Sequence, residues 1–168
     1  MPVSNTLTRR ALLGTGGVAV IAIAVGMLPG ENDTANAAKF PVALTPAQWK
    51  KKLNPQQYAI LREASTEQPF SSPLNKEYRA GTFSCAGCDQ KLFSSKTKFD
   101  SGTGWPSFWQ PLPRAIATSR DNELGYSRTE VHCSRCGGHL GHVFDDGPKP
   151  TGLRYCMNGG AMKFMAEA

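Results

Sequence analysis

Two Cys-x-x-Cys couples, Cys85/Cys88 in "CAGC" and Cys133/Cys136 in "CSRC", stand 44 residues apart in a chain of 168 residues. No other feature restricts the fold as strongly. In each couple a two-residue spacer makes a tight turn that lets both sulfurs face one point. Gly87 and the Gly137–Gly138 pair supply the backbone freedom such turns need. Four thiolates at about 2.3 Å make a closed tetrahedral Zn²⁺ site, structural because no position is left open. The separation exceeds that of a compact zinc ribbon, so the site would tie distant parts of one domain together. Two disulfides, or one couple acting as a redox pair, are the competing readings. An i,i+3 disulfide closes a tiny ring and adds little stability, so the duplicated spacing favours zinc.

The first 37 residues are set apart from the fold. Arg9 and Arg10 precede an uncharged apolar run from Ala11 to Leu28, and "ANA" at 35–37 has the form of a small-residue cleavage site. This predicts a twin-arginine-type signal peptide over 1–37, a linker over 38–44 and one domain over 45–168. The expected location is therefore periplasmic, or membrane-anchored if the signal stays uncleaved. Such export carries proteins across already folded, which would shelter metal-bound thiolates from oxidation. Removing 1–37 takes away two arginines and two acids and leaves the formal charge at +6. Four thiolates and one Zn²⁺ bring it to about +4. That mild charge demands no acidic partner. Lys50–Lys52 is the one dense basic run, and no membrane contact is expected after cleavage.

"LTPAQWKKKLNPQQYAILREAS" predicts two short helices, with Thr45 and Asn54 as N-caps and Pro46 and Pro55 at the first helical positions. Trp49 with Leu53, and Tyr58 with Leu61, give each an apolar side. "TEQPFSSPLNKEYRAG" reads as a connector over the core surface. From Gly81 the pattern changes to short β-type runs: "GTFSC", "KLFSS", "FWQPL", "AIATSR", "YSRTEVHC", "HLGHVF" and "LRYCMN". Many short strands with no βαβ rhythm predict a mainly β, antiparallel domain with helices at its front.

Cys156 fits no couple. A lone cysteine is often a small buried hydrophobe, but its neighbours favour chemistry. Arg154 and Asn158, two residues either side, share its face in a strand, and Arg154 would stabilise a thiolate. In "GGHLGHVFDDGP", His139 and His142 with Asp145 and Asp146 make a compact group of proton donors and acceptors. A metal pair is the alternative for the histidines, but no further partner with ligand spacing is evident.

"KFDSGTGWPSFWQP" (98–111), "CSRCGGHLGHVFDDGPKPTGLRYCMN" (133–158) and the two couples together resemble the zinc-containing peptide methionine-(R)-sulfoxide reductases over about residues 45–168. The resemblance implies two small twisted antiparallel sheets with helices alongside, and one structural Zn²⁺ on Cys85, Cys88, Cys133 and Cys136. It makes Cys156 the nucleophile that becomes a sulfenic acid, and His139, His142 and Asp146 the group that organises and protonates the sulfoxide side. Arg154 and Asn158 join the thiolate's network. Trp105 would wall the substrate's S-methyl group, with Phe108 beside it, on a turn fixed by Gly102, Gly104 and Pro106. The implied role is repair of oxidised proteins under oxidative stress; a monomer is the default expectation. With Arg154 beside it, the Cys156 thiol is expected near neutrality. No sixth cysteine remains, so an external thiol reductant, thioredoxin-like or small, is expected. The chain departs from the family at "MNGGAMKF", where the glycines are often serine and alanine, and the segment after Cys156 is expected to be looser. A zinc-knuckle module binding nucleic acid would leave Cys156 and both histidines without a role, and a thiol–disulfide oxidoreductase would need a couple free of metal.

Overall fold

A computed structural model describes residues 40–123 and 125–167, so the expected signal peptide lies outside the described residues. The two helices begin at their prolines, α1 at Pro46–Lys52 and α2 at Pro55–Glu63. Thr45 and Asn54 each cap a backbone N–H, and Gln48 and Gln57 reach back to the caps, closing a capping box at each start. Each cap is worth about 1 kcal/mol, which matters for helices this short. Trp49, Leu53, Ile60 and Leu61 are buried. Trp49 and Leu61 pack on the two cysteine loops: a Cβ on Gly138 would lie 2.9 Å from Leu61, and one on Gly87 3.4 Å from Trp49. Arg62 lies over the Trp49 ring and donates to the Cys136 carbonyl at 3.0 Å. Residues 40–44, read as linker, dock on the same loops: Val42 N–H donates to the Arg135 carbonyl at 2.9 Å, and Phe40 meets His132 edge-on. Among the described residues no helix is long and apolar enough to cross a membrane.

The remainder is two antiparallel sheets. One has three strands, with β1 (Gly81–Cys85) between β2 (Lys91–Ser94) and β9 (Met162–Ala166). The other has six, ordered β3 (Lys98–Phe99), β4 (Ser107–Phe108), β8 (Arg154–Met157), β7 (His139–Phe144), β6 (Arg128–Cys133) and β5 (Ile116–Asp121). The run "FWQPL" contributes only Phe108 to a strand; Pro111 has no N–H to give a ladder. Strand β9 was not foreseen. Phe83, Phe93 and Phe108 stack between the sheets, with ring centroids 4.3 and 4.9 Å apart, over Leu92, Val131, Leu140 and Met157.

Strand register decides which residues meet. Ser107 pairs with Cys156, Cys156 with His142, His142 with Glu130, and Glu130 with Ser119. Residues directly opposite on antiparallel strands lie on the same face with Cβ atoms about 4.5–5.5 Å apart. One continuous row therefore crosses five strands on the face away from Phe108, Val131 and Met157. His139 reaches that face through an irregularity. Residues three apart in a regular strand point to opposite faces. Here Val131 pairs with Gly141 but His132 pairs with His139, so Leu140 is an extra residue in β7. This bulge turns both imidazoles to one side, their centroids 5.4 Å apart.

The bulge depends on Gly141, whose φ is 153° and whose missing Cβ would sit 2.1 Å from the Cys156 carbonyl oxygen. Gly141→Ala is expected to cost more than about 2 kcal/mol in urea unfolding, since the obstructing atom is backbone and cannot swing aside. An unchanged midpoint would show that the bulge can relax.

Candidate active site

The paired cysteines converge. All four Sγ atoms lie within 4.8 Å of one another in a buried cluster, Cys85 to Cys136 at 3.8 Å and Cys88 to Cys133 at 3.5 Å. A tetrahedron with 2.3 Å metal–sulfur bonds has edges of about 3.8 Å, so this donor set fits a metal ion. The short contacts join one couple to the other, and all five cysteines are free thiols. Disulfides within the couples are not the arrangement adopted.

Cys156 is half-buried at the floor of a cleft of about 130 Å³. Trp105, His142, Phe144 and Asn158 wall the cleft, with Thr66 and Arg128 at its margin. Thr103 Oγ1 lies 3.9 Å from the sulfur. Burial pushes the Cys156 thiol up, while Thr103 and Arg154 act to lower it. Net, the proton is held more tightly than Arg154 alone would suggest, which corrects the expectation of a thiol near neutrality. The Arg154 guanidinium is fixed by two 2.8 Å bonds to Asp146 and lies 4.4 Å from the centre of the Phe144 ring.

The histidines are oriented by carboxylates that the sequence reading did not single out. His142 Nε2 bonds Asp121 at 2.7 Å, and His139 Nδ1 bonds Glu130 at 2.8 Å. A carboxylate only accepts, so the imidazole proton sits on Nε2 of His142 and Nδ1 of His139, leaving the other nitrogens with lone pairs. His139 Nε2 is buried without a partner among the described residues. Burial lowers the His142 pKa, and Asp121 opposes that effect. Asp121 is itself held down to about 2 by the Glu123 backbone N–H and by His142, and Glu130 to about 2 by His139. Asp146, expected to organise the histidines, instead serves Arg154. Asp121 and Glu130 take its place because β6 lies beside β7 with β5 beyond it, whereas Asp146 follows β7 and is exposed.

Phe108 is not part of the cleft. It is fully buried among Phe83 and Phe93, because Ser107 takes the Cys156 face and the next strand residue must face the core. Trp105 lines the cleft on a turn with φ of 71° at Gly102 and 93° at Gly104. Asn158 supports the bulge: its N–H and Nδ2 both donate to the Leu140 carbonyl, at 2.8 and 3.2 Å.

The segment after Cys156 is not loose. Glu67, buried in the connector, accepts from the N–H groups of Gly159 and Gly160 at 2.6 and 2.8 Å. Its own N–H donates to Asn158 Oδ1 at 3.0 Å, and its carbonyl accepts from the Trp105 indole at 3.1 Å. A Cβ on Gly159 would lie 1.9 Å from Ser72 Oγ, so Ser72 fills the space a larger residue would occupy. One carboxylate thus anchors the strip that joins the Trp105 wall to the end of β8.

The SelR domain family matches residues 53–166. The peptide methionine sulfoxide reductase MsrB of Leptospira interrogans is 54% identical over 120 residues, covering 71% of this chain and 92% of that protein. The protein of the same name from Agrobacterium fabrum is 55% identical over 119 residues, 70% of this chain and 88% of its own length. That of Methanosarcina barkeri is 49% identical over 131 residues, 77% and 92%.

Glu67→Gln leaves one acceptor oxygen and sets an NH₂ against the second backbone N–H. It is expected to cost about 1–3 kcal/mol in urea unfolding and to change the native tryptophan fluorescence by freeing Trp105. Wild-type stability with an unaltered emission spectrum would show that the clamp is dispensable.

Proposed function

We propose a mechanism on the premise that this chain belongs to the SelR domain family and reduces methionine sulfoxide in oxidised proteins. The observation that carries it is the direct cross-strand pairing of Cys156 with His142. Neutral His142, with its free lone pair on Nδ1, takes the thiol proton as the Cys156 sulfur attacks the sulfoxide sulfur. It then returns that proton to the sulfoxide oxygen. Help of this kind is typically worth about 10²–10⁴-fold. The step balances as thiol plus sulfoxide giving sulfenic acid plus sulfide. The Cys156 sulfur loses two electrons, the substrate sulfur gains two, and the oxygen ends on Cys156. A thiol that keeps its proton until substrate arrives suits this cycle, since no proton is drawn from solvent.

The other residues support that transfer. Arg154, held by Asp146, stabilises the nascent thiolate. Asp121 keeps the His142 tautomer and stabilises the imidazolium that forms. His139, set by Glu130, offers its free Nε2 to the protonated oxygen or to a water beside it. Asn158 holds the bulge, and Trp105 supplies the apolar wall for the S-methyl group. The (R)-sulfoxide is the proposed substrate isomer. The four cysteines would hold Zn²⁺, which would supply structural cross-linking and take no part in the reaction. Two external thiols regenerate the enzyme: they return Cys156 to the thiol and leave as a disulfide with one water. Export through the twin-arginine-type signal, in the folded metal-loaded state, places this repair outside the cytoplasm.

Cys156→Ser is expected to abolish sulfoxide reduction while keeping one zinc per chain and the parent melting temperature. Parent protein given sulfoxide without thiol should carry a dimedone adduct on Cys156 by mass spectrometry. Retained turnover in the variant defeats the nucleophile assignment, and a dominant internal disulfide defeats external regeneration.

Asp121→Asn tests the proton route. The carboxylate raises the His142 pKa, so its loss lowers that pKa and neutral imidazole persists to lower pH. The acidic limb of the kcat/KM profile is expected to move to lower pH while the plateau falls at least about tenfold. A shift towards higher pH contradicts the assignment.

A further inference from the structure

Phe70 is a large apolar side chain left 73% exposed, and its backbone is left-handed, with φ of 64°. That conformation costs an aromatic residue stability. The fold does not recover the cost by burying the ring, so local packing does not explain it. The turn is nonetheless built with care. Phe70 N–H donates to the Gly104 carbonyl at 2.7 Å, and Asn75 Nδ2 donates to the same oxygen. Gly104 has no Cβ where one would sit 2.7 Å from Pro69 Cβ and 3.0 Å from Phe70 Cδ2, so the ring lies against the residue that precedes Trp105. Phe70 is therefore continuous with the Trp105 rim of the cleft, and the segment that carries it begins at Thr66, which lines that cleft.

The size of the cleft says what passes over this rim. About 130 Å³ is the size of one side chain, in a cleft that opens to solvent. A polypeptide presenting an oxidised methionine must run outside, across the lip. We propose that Phe70 is a substrate-docking residue that packs on a side chain flanking the methionine sulfoxide, favouring polypeptide over the free amino acid. The proposal rests on the sulfoxide-reductase reading. It assigns an apolar residue, one or two positions from the methionine, as the ring's partner. The backbone strain keeps the ring presented to solvent instead of folding it onto its own surface.

Phe70→Asn removes the ring and suits the left-handed backbone, so the fold is preserved; Phe70→Tyr keeps the ring. Both are assayed with dithiothreitol on two substrates: a blocked peptide with one methionine-(R)-sulfoxide flanked by leucines, and N-acetylmethionine-(R)-sulfoxide. Phe70→Asn is expected to lower kcat/KM on the peptide by about three- to tenfold and to leave the small substrate within about twofold, with Phe70→Tyr near the parent on both. Equal losses on both substrates would mean that the ring braces the Trp105 turn, and no loss on either that it touches nothing; each overturns the proposal. A loss seen only when a thioredoxin replaces dithiothreitol would assign the ring to the reductant and overturn it too. A parent protein that turned over neither substrate would remove the reductase reading itself.

Discussion

In a regular strand, residues three apart face opposite ways, yet His139 and His142, three apart, face the same way in this protein. The extra residue in β7 resolves that conflict, and much else is arranged around it. Gly141 lets β7 approach β8 with no Cβ between them. Asn158 satisfies the carbonyl that the bulge exposes at Leu140. Glu67 in turn holds Asn158 and the two glycines after it. A distortion of one residue thus recruits supports from the connector, from β8 and from the turn that follows. Without the Glu67 carboxylate the N–H groups of Gly159 and Gly160 would lose their acceptor, at a cost of about 1–3 kcal/mol for the buried one.

The cysteine cluster works at a different level. It lies under the helices, with Leu61, Trp49 and Arg62 packed against its loops, and its sulfurs come from both sheets: Cys85 from β1 and Cys133 from β6. Strands this short make few ladder bonds, so a cross-link between sheets substitutes for area that a larger core would bury. The Cys156 sulfur sits on the opposite face of the six-stranded sheet from Val131 and Met157. Within that sheet, strand parity alone separates Cys156 from Cys133.

Features that act locally were legible in the sequence. Both helices start at Thr45-Pro46 and Asn54-Pro55 because caps and first-turn prolines act within three residues. The couples, Cys156, the histidines and the Gly-rich turn before Trp105 were visible as residue types at fixed spacing. What failed was long-range. Asp121 and Glu130 reach the histidines only after β5, β6 and β7 pair, across 21 and 9 positions. Glu67 acts over more than ninety positions, and nothing near "TEQPF" announces it. Asp146 is adjacent in sequence to the histidine pair but leaves the sheet before it can turn back. Phe108 was misplaced by parity: its neighbour Ser107, not Phe108, shares the face of Cys156. Strand β9 was missed because "MKFMA" gains its identity from β1, against which Met162 to Ala166 pair.

On the proposed mechanism, the placement of Cys156 would also order the catalytic cycle. Burial holds the thiol protonated at rest, and oxidation by small oxidants follows thiolate character, so the resting sulfur is shielded until a sulfoxide fills the cleft. After oxygen transfer the position reverses. The side chains acting on the sulfur include the Thr103 hydroxyl at 3.9 Å and the Arg154 guanidinium, and neither has reducing electrons to give. The second half-reaction therefore falls to a thiol that enters by the opening through which methionine must leave. If one narrow cleft serves both, release of the repaired side chain would precede reduction, and the proposed cycle implies ping-pong kinetics.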